Sequence, residues 1–415
     1  MIKNICIFED NNFSDLHPLT YLRPVYDLRC GILTLREKIQ KFFPDANLVL
    51  HCRKHLEESV KENNPGIKVN NFDGADSCLF INGRAVFNED LMKNRISGLK
   101  EKEAAIVGDT VIGFIADSKI TGKLFSKNVI TLDNFTGFEK IELAAKLINY
   151  PWELVNNNAN EIITDFDLLA DSKKTGINCE LSNNVSLINE SNIFIDEGTI
   201  IKPGVVIDAT EGPVYIGKNV KIFPNAVIEG PCFVGNNSQI KIGAKIYDGS
   251  SIGEYCKVGG EVEKSIIHSF ANKQHDGFLG HSYISPWCNL GAATNTSDLK
   301  NNYGNVKVFI NNRQVDTGSM FVGLIMGDHS KSAINTRFNT GTVIGISSNI
   351  FTSNFPPKYI PSFSWVDDKQ ITTYDLAKSK LVADKVMQRR EKKFTETDSK
   401  LFDYVYKLTS NERNW

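Results

Sequence analysis

The chain has 415 residues, 41% of them hydrophobic and 23% charged, with a formal net charge of −2. That length exceeds what one core ordinarily serves, so two domains and a tail are expected. The near-neutral charge offers no electrostatic footprint for nucleic acid or for an anionic membrane, and no stretch is apolar enough to span a bilayer.

The opening segment MIKNICIFEDNNF carries neither a long apolar run nor a cleavage-site pattern, and the eight cysteines form no C-x-x-C pair. A cytoplasmic, metabolite-handling protein is expected. Short aliphatic runs then alternate with helical patterns. Residues 5–8, 47–50, 77–81 and 105–115 read as strands, and 33–43 and 56–61 as helices, which argues a mostly parallel α/β sheet. Residues 141–148 read as a further helix, stopped by Pro151. The segment WELVNNNANEIITDFDLLADS leads into a polar stretch, after which Ile195, Ile201 and Ile207 already keep a spacing of six. The boundary is placed near residue 178, so the α/β domain covers 1–178.

From 216 to 258 every sixth residue is Ile or Val: Ile216, Ile222, Ile228, Val234, Ile240, Ile246, Ile252 and Val258. Four positions after each of the first seven stands a small or modest side chain: Val220, Ala226, Cys232, Ser238, Ala244, Ser250 and Cys256. Neither a helix nor a strand generates a period of six. A hexapeptide repeat marks a parallel β-helix that buries one aliphatic residue per face, and small corner residues suit the left-handed form. The strict repeat lapses after Val258. The spacing returns at Ile284 and Leu290 and again at Ile344 and Ile350, around a long insertion at about 294–323. Insertions on one face of a solenoid usually make binding surface. Pro356, Pro357 and Pro361 end the coil, giving a β-helix domain over 179–365. A charged tail, 366–415, then shows Leu376, Leu381, Val386 and Met387 at helical spacing, as an amphipathic helix would. Within it the Arg389–Arg390 pair reads as a solvated face.

The densest chemistry lies at 271–304, ANKQHDGFLGHSYISPWCNLGAATNTSDLKNNYG. It holds His275, His281, Asn289, the Gly291–Ala292–Ala293 step, Asp298 and Lys300. A histidine, with an ordinary pKa near 6.5, is a natural general base toward an amine, and small residues let a pantetheine arm approach the backbone. The stretch resembles the acetyltransferase half of the bifunctional N-acetylglucosamine-1-phosphate uridylyltransferase/glucosamine-1-phosphate acetyltransferase family. Its wording HDGFLGHSY, NLGA and SDLKNNYG is similar to a variant branch of that family, as are GDHSK at 327–331 and FPPKYIPSFSW at 355–365. The resemblance implies His275 as catalytic base, Asn289 as a sugar ligand, and Ala292 with Gly291 against acetyl-CoA. It places Phe278 where the family has a sugar-contacting tyrosine, so one hydroxyl is missing. Lys300 or Lys331 would hold the phosphate, with Asp328 and His329 as secondary candidates. His281 stands where the mainstream family has an acid, and reads equally as structural.

Sugar-phosphate nucleotidyltransferases open with a strand and an L-x-x-G-x-G-T-R-like loop, which this chain lacks. PLTYLRPVYDLRCGILTLREK nonetheless resembles the variant branch. Arg23, Arg29 and Lys38 are the expected replacements for the loop amides on a triphosphate. Gly83 lies where the family has a Gly-Asp magnesium site; Asn82 and Asp109 are the expected Mg²⁺ ligands, Asn82 and its neighbour Arg84 being poor substitutes for a carboxylate. VNNNANEIITD, 155–165, resembles the end of the uridylyltransferase domain. The resemblance thus implies a homotrimer that uses acetyl-CoA, UTP and amino-sugar phosphates for two transfers. The alternatives are a hexose-1-phosphate nucleotidyltransferase whose β-helix only trimerises or regulates, and a non-enzymatic scaffold.

Overall fold

The computed structural model describes residues 2–72, 77–170 and 176–415. It divides into two compact units. The first runs to Leu16 and then covers Thr20–Leu28 and Leu33–Tyr150; the second holds His17–Leu19, Arg29–Ile32 and Pro151–Trp415.

In the first unit, strands β1 (Asn4–Phe8), β2 (Asn47–Leu50), β3 (Lys68–Val69) and β4 (Cys78–Asn82) pair in parallel in the order β3-β2-β1-β4. Helices α1 (Leu35–Phe42) and α2 (Glu57–Asn63) punctuate them. Helix α1 begins where its sequence says it should: Thr34 and Glu37 form a reciprocal capping box. Phe8, Phe80 and Phe114 lie in one buried layer, with Phe80 and Phe114 stacked at 4.7 Å. Residues 105–115 are a hairpin rather than one strand. Glu103–Val107 and Thr110–Ala116 pair antiparallel, turning through Gly108 at φ +57. Helix α3 (Ser118–Phe125) follows. The helix expected at 141–148 is instead extended, with Glu139–Glu142 parallel to Glu103–Val107 and Lys146–Leu147 antiparallel to Ala85–Val86. Its burial alternates residue by residue from Ile141 to Leu147, a period of two that decides for strand over helix.

The second unit contains a parallel β-helix. On its first face Val214, Cys232 and Ser250 stack in register, on its second Ile222, Ile240 and Val258, and on its third Ile228, Ile246 and Val262. Ile216, Val234 and Ile252 therefore repeat every 18 residues, which is three hexapeptides per coil. All eight members of the sixfold series and their seven companions are buried. Each aliphatic side chain so enclosed contributes about 1.5–3 kcal/mol relative to exposure. The repeat lapses after Val258 because the coils shorten: Ile252 pairs with Ile267, 15 residues on. The insertion leaves after Asn295–Thr296, returns at Ile325–Met326, and carries a hairpin of Lys307–Ile310 with Arg313–Asp316.

Helix α4 (Pro151–Ala170) belongs to this second unit. Asn158 donates to Gly249 O (2.8 Å) and Ser251 Oγ (2.9 Å) and accepts from Gly31 N (2.7 Å), while Asp165 accepts from Ile32 N (2.9 Å). The contacts divide the chain at 150/151, so that the segment 155–165 braces the β-helix. The last two residues of its motif, Asp171 and Ser172, lie outside the described residues. Helices α5 (Leu376–Gln388) and α6 (Glu396–Leu408) form the tail. Phe402 of α6 packs edge-on against His329 (5.3 Å) and Phe363 (5.9 Å), and Arg413 donates to Ser362 O (3.0 Å). Among the described residues no helix is long and apolar enough to cross a membrane.

Candidate functional site

Strand β1 is followed directly by Glu9 and Asp10, at the carboxyl edge of a parallel sheet, where α/β folds bind their ligands. Here that edge is filled by the chain's own charges. Arg53 grips Glu9 with two bonds, Nε to Oε2 at 3.1 Å and Nη2 to Oε1 at 3.2 Å, and Val25 N donates to the same carboxylate at 2.9 Å. Arg84 Nε donates to Asp10 Oδ2 at 2.7 Å, beside Asn82 Nδ2 at 2.8 Å. All five side chains are buried apart from Val25's main-chain role.

These contacts correct the expected metal site. The Asn82 amide donates to Asp10 and to Val111 O (2.9 Å), and its Oδ1 accepts from Arg84 N (3.0 Å). Asp109 is exposed in the turn between the two hairpin strands. A buried amide with both ends committed, next to a guanidinium, does not fit Mg²⁺, which prefers accessible carboxylate oxygens and water. Among the described residues no group of three or more His, Cys, Asp or Glu side chains is placed to hold a metal ion.

Arg29 is also corrected. It lies in the second unit, 4% exposed, paired with Glu254 at 2.8 Å, hydrogen-bonded to Ile32 O and set over the Phe233 ring at 5.1 Å. Its charge is consumed in fixing this segment, so it is no triphosphate ligand. Arg23 is half-buried in the first unit, where its charge and that of Arg36 oppose the burial that lifts Asp27 to about 6. Lys38 is buried on α1.

The β-helix presents a different picture. Its second face carries an outward column in register, Lys257, Asn272, Asn289 and Lys331. These residues, with Gln274, line a cavity of about 250 Å³. Gln274 leads directly to His275, which is exposed on the corner between the second and third faces. The His275 ring makes no hydrogen bond among the described residues. Burial lowers the Lys331 ammonium to about 8, and its Nζ donates to His329 O at 2.7 Å. A second cavity of about 550 Å³ runs past the same corner, lined by Ala293, Ala333, Ile334 and Arg337. Gly291 precedes it because a Cβ there would strike the Ala333 carbonyl of the next coil. Ala292 O accepts from Asn335 N at 2.7 Å.

The structure therefore groups His275, Asn289, Lys331 and the 291–293 step along one edge of the β-helix. It does not bring Lys300, Phe278, Gly291, Ala292 or His275 itself into the lining of either cavity. Lys300 bonds Asn305 O within the insertion, and Phe278 is half-buried on the third face. His329 is buried between Trp287 and Phe402, and Asp328 is buried beside it. His281 has an orienting partner that His275 lacks: its Nδ1 donates to Asp298 Oδ2 at 2.7 Å, and its ring stacks on Phe321 at 5.0 Å. This contact ties the start of the insertion to its end.

One residue behind the corner was not singled out by the sequence. Lys273 stands in register with the core residue Val258 and is 3% exposed. Its ammonium reaches out of the core to His275 O (2.6 Å) and Gly259 O (3.2 Å), and burial lowers it to about 8. Between about pH 8 and 10.5 the folded chain has lost this proton while the unfolded chain keeps it. Unfolding free energy then rises with pH across that window, by up to about 3 kcal/mol from this group. Denaturant titrations at pH 7.5 and 10 are expected to show a larger gain for wild type than for Lys273→Met. Equal gains would mean that Lys273 is solvated in the native state.

With this geometry in place, comparison with known proteins is informative. Residues 5–174 match the family described as sugar nucleotidyl transferase. Over 391 residues the chain is 27% identical to "Bifunctional protein GlmU" of Methanococcus aeolicus, covering 80% of this chain and 89% of that protein. It is 28% identical over 376 residues to "Bifunctional sugar-1-phosphate nucleotidylyltransferase/acetyltransferase" of Sulfurisphaera tokodaii, covering 80% and 88%. A "Bifunctional protein GlmU" of Zymomonas mobilis is 25% identical over 288 residues, covering 67% and 57%.

Proposed function

We propose that this chain, a homologue of the bifunctional sugar-1-phosphate nucleotidylyltransferase/acetyltransferase proteins, is a transferase with two activities. The β-helix would move an acetyl group from acetyl-CoA to the amine of glucosamine 1-phosphate. The α/β unit would join N-acetylglucosamine 1-phosphate to UTP and release pyrophosphate. The observation that carries the first activity is the cavity holding Asn289, Lys331 and Gln274, the chain neighbour of His275, with a second cavity past Ala293 and Ala333. In that arrangement Asn289 holds the sugar and Lys331 its phosphate. The pantetheine arm lies past Ala292 and Ala293, and His275 takes the amine proton as the carbon–nitrogen bond forms. A main-chain N–H would steady the oxyanion, and coenzyme A leaves as the thiol with the proton that His275 returns. Eight free cysteines suit a reducing compartment such as the cytoplasm.

The second activity rests on the nucleotidyl transferase match at 5–174 and on the relatives. No metal step is assigned to Asn82 or Asp109. A specific observation favours a reading in which only acetyl transfer survives: the Glu9–Arg53 and Asp10–Arg84 pairs fill the ligand-binding edge of the sheet. One assay decides. The purified full chain is given acetyl-CoA and glucosamine 1-phosphate, and separately UTP with N-acetylglucosamine 1-phosphate and Mg²⁺. Free thiol in the first and pyrophosphate in the second support both activities. Thiol alone restricts the enzyme to acetyl transfer, pyrophosphate alone leaves the β-helix a structural module, and neither product removes the proposal.

We further propose that the enzyme works as a homotrimer. Ile334 is 68% exposed and Phe351 48% exposed along the groove, apolar surface that a second β-helix would cover. Light scattering is expected to give three times the chain mass; a monomer at working concentrations would remove any site completed between subunits.

A further inference from the structure

The cavity beside Asn289 is not closed by the β-helix alone. Val386 of α5 and the two residues that follow the helix, Arg389 and Arg390, also line it. Arg390 Nη2 donates to Asn272 Oδ1 at 3.0 Å. The cavity thus gathers four cationic side chains, Lys257, Lys331, Arg389 and Arg390, and no carboxylate is among its lining residues. Their mutual repulsion and burial are felt: Lys257 and Arg390 are both held below their ordinary ranges, first by burial and then by neighbouring cations. A cluster of this kind is unfavourable without an anion to neutralise it.

The cavity wall is equally unusual. In the earlier coils Asn219 and Asn237 occupy the left-handed corner position between the first and second faces, at φ +54 and +60. Asparagine tolerates that conformation. In later coils the same corner carries Tyr255, Phe270, Trp287 and His329, at φ +57, +53, +65 and +60. Bulky residues adopt such angles at a cost of order 1–3 kcal/mol each. Here they build a continuous stack, with Tyr255–Phe270 at 4.9 Å and Phe270–Trp287 at 4.3 Å. With their faces covered by one another and by Tyr255 and His329, Phe270 and Trp287 line the cavity with apolar ring edges.

We propose that Lys257, Lys331, Arg389 and Arg390 form a phosphate cradle for a phosphate monoester whose cyclic portion lies against the ring edges of Phe270 and Trp287, with the end of α5 closing one side of it. This deepens the acceptor-site reading above and rests on it for the identity of the ligand as an amino-sugar phosphate. The shared chemistry is a phosphate dianion, which the 3′-phosphate of coenzyme A would also supply. Arginine forks match phosphate oxygens in pairs, so the tail confers selectivity for phosphorylated over free sugar.

The test uses the full chain and its Arg389→Gln/Arg390→Gln variant, with Lys385→Gln as a charge control on an exposed part of α5. Calorimetry is run with glucosamine 1-phosphate, glucosamine, acetyl-CoA and 3′-dephospho-acetyl-CoA, and acetyl transfer is followed by thiol release. The double variant is expected to bind glucosamine 1-phosphate at least tenfold more weakly, and to raise KM for it with kcat kept. Glucosamine binding should be unchanged, and the control should behave as wild type. If the loss appears instead with acetyl-CoA and not with the dephospho form, the cradle stands and its ligand is the coenzyme. Equal binding of all four ligands by wild type and double variant overturns the cradle. If wild type binds glucosamine 1-phosphate and the variant does not, yet neither releases thiol, the cradle holds and the acetyltransferase reading is what fails.

Discussion

Replacing His275 with alanine is expected to lower acetyl transfer by roughly 10²- to 10⁴-fold, the usual loss on removing a general base, with little effect on folding. His275 is exposed on its corner, and its ring holds no other part of the chain. Binding of glucosamine 1-phosphate should survive, because Asn289, Lys331 and the tail arginines remain in the cavity. Pyrophosphate release by the α/β unit should also be unchanged, since that unit has its own substrates. Thiol release with the two substrates, measured beside calorimetric binding, separates loss of chemistry from loss of the site. A variant that keeps near-full thiol release moves the base elsewhere. His281 is then the next candidate, with its Nδ1–H already oriented by Asp298. His329 is not, because it lies buried beneath Phe402.

The largest effect on stability is expected at Arg84. Its side chain is 1% exposed and paired with Asp10. It also donates to Asn149 Oδ1 at 2.7 Å and Thr110 Oγ1 at 3.2 Å, so one guanidinium joins three segments of the first unit. Arg84→Met would leave the buried Asp10 carboxylate with two neutral donors, the Asn82 amide and the Asn12 N–H, and breaking a buried pair in this way costs about 3–5 kcal/mol. Denaturant unfolding followed by hydrogen exchange of the β1 to β4 amides should show the first unit opening early, ahead of the β-helix. The double change Asp10→Asn/Arg84→Met should recover part of the loss, because it removes both charges rather than one. A single-variant loss below about 1 kcal/mol, the value of a solvated pair, would show that water reaches the edge of the sheet. It would then reopen the β1 edge as a ligand site.

Much of this molecule is legible in a single line of letters. The sixfold recurrence of Ile and Val from Ile216 to Val258 can be buried on every turn only by a coil of three short strands. The pattern therefore dictates the β-helix without reference to anything distant in the chain. The same holds for β1, β2 and β4, for α1, and for the insertion, which announces itself as a gap in the period. The candidate corner with His275, Asn289 and the 291–293 step was legible too, because its members lie within 20 residues of one another. What the sequence could not supply depends on partners far away along the chain. Arg29 reads as a free cation until Glu254 is beside it, and Asn82 as a ligand until Asp10 and Arg84 engage it. Residues 155–165 resemble the end of a nucleotide domain, and only the fold shows Asn158 and Asp165 bonded to Gly31 and Ile32. Lys273 is one lysine among many until the shortened coil sets it in register with Val258. Arg389 and Arg390 read as a solvated helix face because local periodicity reports only which residues share a side. Only the folding of α5 back onto the second face puts those two charges beside Lys257 and Lys331, more than 50 residues away in sequence, and turns a polar tail into the wall of a site.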